Sequence, residues 1–392
     1  MSSPSVKSHR AYLDGIRALA ALWVVFSHLW IGEFGISAHP GLLGILTNWT
    51  LYSHLAVDVF IVLSGFCLIL PVAQADGFLR GGALAFFKRR ARRILPPYYA
   101  ALALSIVVFV VVHVIANKPP QVPMLALAAN VLLLQDVFLS TNVFNGPFWS
   151  IAVEWRIYFL FPLLVVAVRR LGWMPVLFGA SVVSTGLTVA LFRWHPEMIL
   201  ACPWYLFLFT IGAWAGFHSE RGAAETAALP RCWIALACVS AVALSWLLWL
   251  HPVTERGGAD FGLHMPLIDT AAGLLTASCL LWIGHCRRPV PLISWRPLVQ
   301  LGAFAYSLYL THMPLLTLVR HILALWIPAK MPAPERLGLT AAALPLVISL
   351  AYVFFLACER PFLRRFHPQT SPGNISISST DKTGGLAGRP NK

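Results

Sequence analysis

The segment YLDGIRALAALWVVFSHLW, residues 12–30, is apolar enough to cross a membrane yet carries Asp14, Arg17 and His28. An ionised side chain at the centre of a membrane helix costs about 2.5 to 3.5 kcal/mol on insertion scales, so such groups persist where they line a cavity or find partners. Arg17 and His28 are eleven residues apart. At 100° per residue they fall within about 20° of one helical face, and a 1.5 Å rise separates them by roughly 16 Å. A guanidinium fork binds phosphate. An imidazole, titrating near pH ~6.5, takes a proton from a hydroxyl or accepts an acyl group covalently, and the sequence leaves both roles open. Asp14, three residues before Arg17, is its expected local partner.

These residues need a scaffold, and the composition defines it. The chain has 392 residues, 58% hydrophobic and 11% charged, with a mean hydropathy of +0.73, which a soluble domain cannot hold in water. The expected fold is all-α, a polytopic transmembrane helix bundle. Runs of about 20 apolar residues place ten spans near 11–30, 55–75, 96–116, 148–168, 173–192, 199–218, 231–250, 266–284, 299–319 and 337–358. A shorter run, 123–139, holds Asn130, Gln135 and Asp136 and reads as a re-entrant or interfacial helix. Residues 1–10 form a short N-terminal segment, 11–366 the membrane domain, and 367–392 a polar tail expected to be disordered.

With the N-terminus in the cytosol, 21 of the 29 basic residues fall on that side and six on the other, leaving Arg17 and Arg156 inside spans. This asymmetry places both termini in the cytosol. It also accounts for the net charge of +14 without nucleic acid. The seven cysteines lack CxxC spacing and suggest neither disulfides nor a metal site. The first span is too long, and too interrupted by charge at its start, for a cleavable signal peptide. No internal repeat of a transporter kind is visible.

In that topology Asp58, Glu154 and His312 reach the same depth as His28, so four ionisable side chains from four helices are expected in one layer. Asp58 or Glu154 would orient the His28 ring, and His312 or Arg17 would offset developing negative charge. Each also has a structural reading. A histidine near a helix end is often interfacial, and the two acids could pair with Arg156 or His312 to hold the bundle. Lys88 to Arg93 could be a topology anchor touching anionic lipid.

Six stretches, taken in order, resemble one family, the membrane-bound acyltransferases of the acyltransferase-3 type. They are LDGIRALAALWVVFSH with its Arg17 and His28, AVDVFIVLSGF (56–66), FFKRRARRILPPYY (86–99), FWSIAVEWRIYFLFPLL (148–164), LGAFAYSLYLTHMPLL (301–316) and CERPFLRR (358–365). The family's usual Glu-Glu-Gln reads Glu154-Trp155-Arg156 here, so Glu154 alone is retained. No esterase-like domain of the kind some members carry is expected after the last span.

The resemblance implies an O-acyltransferase, here the lone membrane module, that moves acetyl or another acyl group from cytosolic acyl-CoA to a hydroxyl of a cell-surface or lipid-linked carbohydrate. On that reading Arg17, Arg90 and Arg93 hold the donor, His28 is the central catalyst with Glu154, Asp58 and His312 around it, and the location is the bacterial cytoplasmic membrane. A small hydroxylated metabolite such as a macrolide or lipid is an alternative acceptor, and a transporter or flippase is the rival class.

Overall fold

The computed structural model describes residues 11–36, 38–137, 143–221, 230–252, 259–285, 290–328 and 330–363. The N-terminal segment 1–10 and the tail 367–392 lie outside them. Among the described residues the ordered elements are helical and no strand occurs. Ten long helices are labelled in chain order: α1 (Ala11–Phe34), α2 (His54–Ala73), α3 (Gly82–Ile115), α4 (Phe148–Leu171), α5 (Trp173–Trp194), α6 (Tyr205–Arg221), α7 (Pro230–Leu250), α8 (Ala259–His285), α9 (Ala305–Leu323) and α10 (Leu344–Leu363).

Nine of these, with α6 extended back to Pro196, are long and apolar enough to span a membrane. The tenth, α9, is 19 residues long and carries His312, Arg320 and His321. Its buried face packs among other helices, which relieves it of the hydropathy a lipid-facing span needs. The 123–139 run forms only an eight-residue helix, Met124–Val131, followed by turns. Its carbonyls are caught by α3: the Tyr98 hydroxyl donates to Asn130 O at 2.7 Å and that of Tyr99 to Val131 O at 2.9 Å.

Two boundaries differ from expectation. The basic run 88–93, expected to precede the span near 96–116, lies within α3, which starts at Gly82 and continues through Pro96 and Pro97 rather than opening at them. Positive φ angles at Gly81 and Gly82, 75° and 73°, mark the true start. The prolines have no N–H, so the carbonyls of Arg92 and Arg93 lose their helical donors. The last span also begins later than expected, because the chain breaks at Ala343 between the helix Ala333–Ala342 and α10. Helix α10 contains one π-helical turn, Phe355–Glu359.

Helices α2 and α6 form the central packing. A Cβ on Gly65 would strike the Phe209 carbonyl, and one on Gly212 the Val62 carbonyl, so each backbone rests on the other through a missing side chain. Lipid chains are as apolar as leucine, so close packing of small residues, rather than escape from water, drives such contacts. A Gly212→Leu substitution should force α2 and α6 apart and cost about 1 to 3 kcal/mol or more. Thermal unfolding of the purified protein in detergent measures the loss.

Candidate functional site

Five of the six quoted stretches supply side chains to a single cavity. It is lined by Arg17 of α1, Ser64 and Cys67 of α2, Arg90 and Arg93 of α3, Ser150, Glu154 and Tyr158 of α4, and Tyr306 and Tyr309 of α9. The sixth stretch closes its flank: Ser307 Oγ donates to Glu359 Oε2 at 2.5 Å, and Glu359 lies within electrostatic reach of Arg93. Because residues 88–93 are helical, the Arg90-x-x-Arg93 spacing sets both guanidinium groups on one face. Both reach the cavity. Arg17 is fixed by Asp14 at 2.5 Å and by a 2.9 Å contact from its Nη2 to Cys67 Sγ.

Glu154 belongs to this arginine cavity and not to a layer with His28. The Tyr158 hydroxyl donates to Glu154 Oε1 and lies 2.9 Å from Ser64 Oγ. Arg156, an imagined partner for the acids, instead forks onto Asp136 through both of its terminal nitrogens. Asp136 is fully buried, so this bidentate pair ties α4 to the turns after Met124–Val131.

His28 lines a second cavity of about 300 Å³ with Val24, Ser53, His54, Val57, Trp149 and Tyr309. Its Nδ1 lies 2.8 Å from the Val24 carbonyl. A carbonyl only accepts, so Nδ1 carries the hydrogen and Nε2 holds the basic lone pair. The sequence reading gave that orienting role to Asp58 or Glu154; the preceding turn of the same helix performs it. His312 is held alike, Nδ1 donating to Tyr309 O at 2.7 Å, with its ring centroid 5.1 Å from that of His28.

Asp58 is fully buried and faces the Tyr205 hydroxyl and Asp269 rather than either imidazole of that pair. The expected single layer thus resolves into three places: the His28–His312 pair, the arginine cavity with Glu154, and the buried Asp58–Asp269 contact.

Val57 and Tyr309 line both cavities and form the wall between them. The Tyr309 hydroxyl donates to the Pro147 carbonyl at 3.0 Å and lies 2.7 Å from Ser150 Oγ, which fixes the ring across the gap. Tyr309 sat inside a quoted stretch, but its place in the wall had no sequence signal. Asp269 did have one, as a lone acid in an apolar span, and so did His54 at the start of the second span.

The end of α1 that carries His28 is clamped from α9. Arg320 reaches over Gly32, where a Cβ would strike its guanidinium, donates to the carbonyls of His28 and Leu29 at 2.6 and 3.2 Å, and pairs with Glu33 at 3.1 Å. Glu33 also holds Arg336 at 3.1 Å and Thr340 at 3.2 Å.

A polytopic helix bundle in which an arginine-lined cavity meets an imidazole-lined one defines an integral membrane protein with polar cavities inside it. Comparison with known proteins agrees. The family described as an acyltransferase domain matches residues 10–356, nearly the whole chain, and the chain belongs to it. It is 29% identical over 205 residues to the acyltransferase MdmB of Streptomyces mycarofaciens, covering 49% of each chain. It is 26% identical over 196 residues to the O-acetyltransferase OatA of Staphylococcus aureus, covering 46% of this chain and 29% of that protein. Over 343 residues it is 24% identical to the putative peptidoglycan O-acetyltransferase YrhL of Bacillus subtilis, covering 78% of this chain and 48% of that one. The chain therefore spans about half, or less, of these relatives' lengths. No solved structure matches it.

Arg320→Ala leaves Glu33, whose side chain is 5% exposed, with one cation fewer and removes the side-chain hydrogen bonds to the His28 and Leu29 carbonyls. Breaking a buried ion pair from one side costs about 3 to 5 kcal/mol. Thermal unfolding should show a large loss, partly recovered by adding Glu33→Gln.

Proposed function

We propose that this protein is a membrane O-acyltransferase that takes an acyl group, acetyl in the first instance, from acyl-CoA and places it on a hydroxyl of a carbohydrate. The observation that carries this reading is the pair of cavities, one lined by Arg17, Arg90 and Arg93, the other by His28, meeting at Val57 and Tyr309. The three guanidinium groups suit the phosphates of CoA. The slender pantetheine arm then lies along the α1 face that joins Arg17 to His28, a path of roughly 16 Å.

At the wall the thioester carbonyl meets the imidazole cavity. His28, with its lone pair on Nε2, takes the proton of the acceptor hydroxyl as oxygen attacks the acyl carbon and the C–S bond breaks. The CoA thiolate leaves and recovers a proton. Attack by Nε2 itself, giving an acyl-imidazole that the acceptor then cleaves, uses the same geometry. His312, 5.1 Å from His28 between ring centroids, buttresses the ring. Glu154 works on the donor side, balancing charge among the arginines through Tyr158.

The basic-residue asymmetry, 21 against six, supports an orientation with the arginine cavity on the cytosolic side, where acyl-CoA is made, and His28 toward the opposite face. The acyl group crosses and CoA stays. The bacterial relatives point to a bacterial cytoplasmic membrane, and the relative named for peptidoglycan supports a carbohydrate acceptor.

Membranes holding the protein should move label from acetyl-labelled acetyl-CoA into acceptor material, and His28→Ala at matched expression should reduce this by about 10²- to 10⁴-fold. Activity near wild type in that variant removes His28 from the mechanism. Vectorial uptake of substrate without any labelled product favours a carrier. The Arg90→Ala/Arg93→Ala pair should raise the KM for acetyl-CoA by about 10-fold or more, since each charge-assisted hydrogen bond contributes about 1.5 to 3 kcal/mol. An unchanged KM with altered insertion assigns the two arginines to topology.

A further inference from the structure

Acyl transfer would bring the carbonyl carbon to the one place the two cavities share. That place is made of Val57 of α2 and Tyr309 of α9, both buried and both lining the arginine cavity and the imidazole cavity. Whatever the carbonyl carbon carries must fit between these two side chains, so its size is set by how far they can give way.

Neither side gives way easily. Valine is branched at Cβ, so in a helix its χ1 is confined almost to one rotamer and the side chain does not swing aside. The backbone that carries it is pinned. Asp58, the next residue, is buried against Tyr205 and Asp269, and further along the helix Val62 and Gly65 rest directly on the backbone of α6. Tyr309 is held at three points. Its hydroxyl donates to the Pro147 carbonyl at 3.0 Å and lies 2.7 Å from Ser150 Oγ. Its ring packs edge-to-face with Phe60, the centroids 5.8 Å apart, and its own carbonyl accepts from His312 Nδ1 at 2.7 Å. Displacing the ring would break the hydrogen bonds of a buried hydroxyl and leave polar groups unsatisfied. Among the described residues no methionine, the side chain that best re-packs around a larger guest, lines either cavity. The room beyond is also short. The imidazole cavity is about 300 Å³, at the small end of ligand sites, and the acceptor must share it at the moment of transfer.

We propose that Val57 and Tyr309 form a rigid aperture that determines acyl specificity: acetyl passes, and butyryl and longer chains are refused. This rests on the acyl-transfer reading and narrows its donor class. The bonds made and broken are unchanged, and the aperture limits only what the carbonyl carbon carries. An added methylene has to displace packed atoms rather than find open surface. Even in an ordinary apolar pocket one methylene changes kcat/KM by about 10- to 200-fold.

The test is a competition between acetyl-CoA and butyryl-CoA, each with its own label, in membranes holding the full-length protein and their own acceptor material. The ratio of the two products reads kcat/KM for one donor against the other and does not depend on how much of the protein is folded. Wild type should favour acetyl by about 100-fold or more. Val57→Ala strips the branch from the wall and should cut that preference by about 10-fold or more. Val57→Ile lengthens the same side chain and should raise it. Tyr309→Phe keeps the ring but frees it from Pro147 and Ser150, and should also relax the preference, which a wall acting through bulk alone would not do. A wild type that uses both donors equally, or a ratio that either Val57→Ala or Tyr309→Phe leaves unmoved, overturns the inference. A wild type that transfers neither label overturns instead the acyl-transfer reading beneath it.

Discussion

A charge in hydrocarbon must find a partner or a cavity, and that constraint organises this bundle. Glu33 gathers Arg320, Arg336 and Thr340. Asp136 takes the fork of Arg156. Asp269 takes Trp204 and His54. Each contact joins different segments of the chain, so satisfying the charge also docks a helix. In the arginine cavity Arg17 is paired with Asp14, and Glu154 and Tyr158 supply further polar groups facing Arg90 and Arg93.

Between these polar anchors the packing is apolar and close. Helices α2 and α6 meet backbone to backbone at Gly65 and Gly212, which draws Trp204 and Tyr205 at the head of α6 toward Asp58 and His54 on α2. A site built from helix starts is thereby held by contacts deeper in the bundle. The clamp on α1 does the same for His28, because Arg320 grips the carbonyl of His28 itself.

The helices were legible in the sequence because length and hydropathy are one-dimensional quantities, and lipid imposes both. The charges in 88–93 look like a loop, yet arginine, lysine and alanine are good helix formers, and the glycine pair at 81–82 was the readable boundary. The direction in which a side chain turns round its helix was not legible. Val57 lines both cavities while its neighbour Asp58, turned about 100° round the helix, points to α8. Glu154 likewise shares a face with Ser150 and Tyr158 and turns to the arginines. Which face looks where is set by the neighbouring helices, and no single span records it.

The wall of Val57 and Tyr309 has an electrical consequence. On the acyl-transfer reading the two hollows enter the bilayer from opposite sides and leave its insulating thickness concentrated in the layer between them, so a membrane voltage, worth about 2.3 kcal/mol per elementary charge per 100 mV, would drop mainly across a tyrosine ring and a valine. An ion or a proton would feel that field in full. A neutral acyl group passing the same spot would not, and the cell's stored potential would survive each turnover.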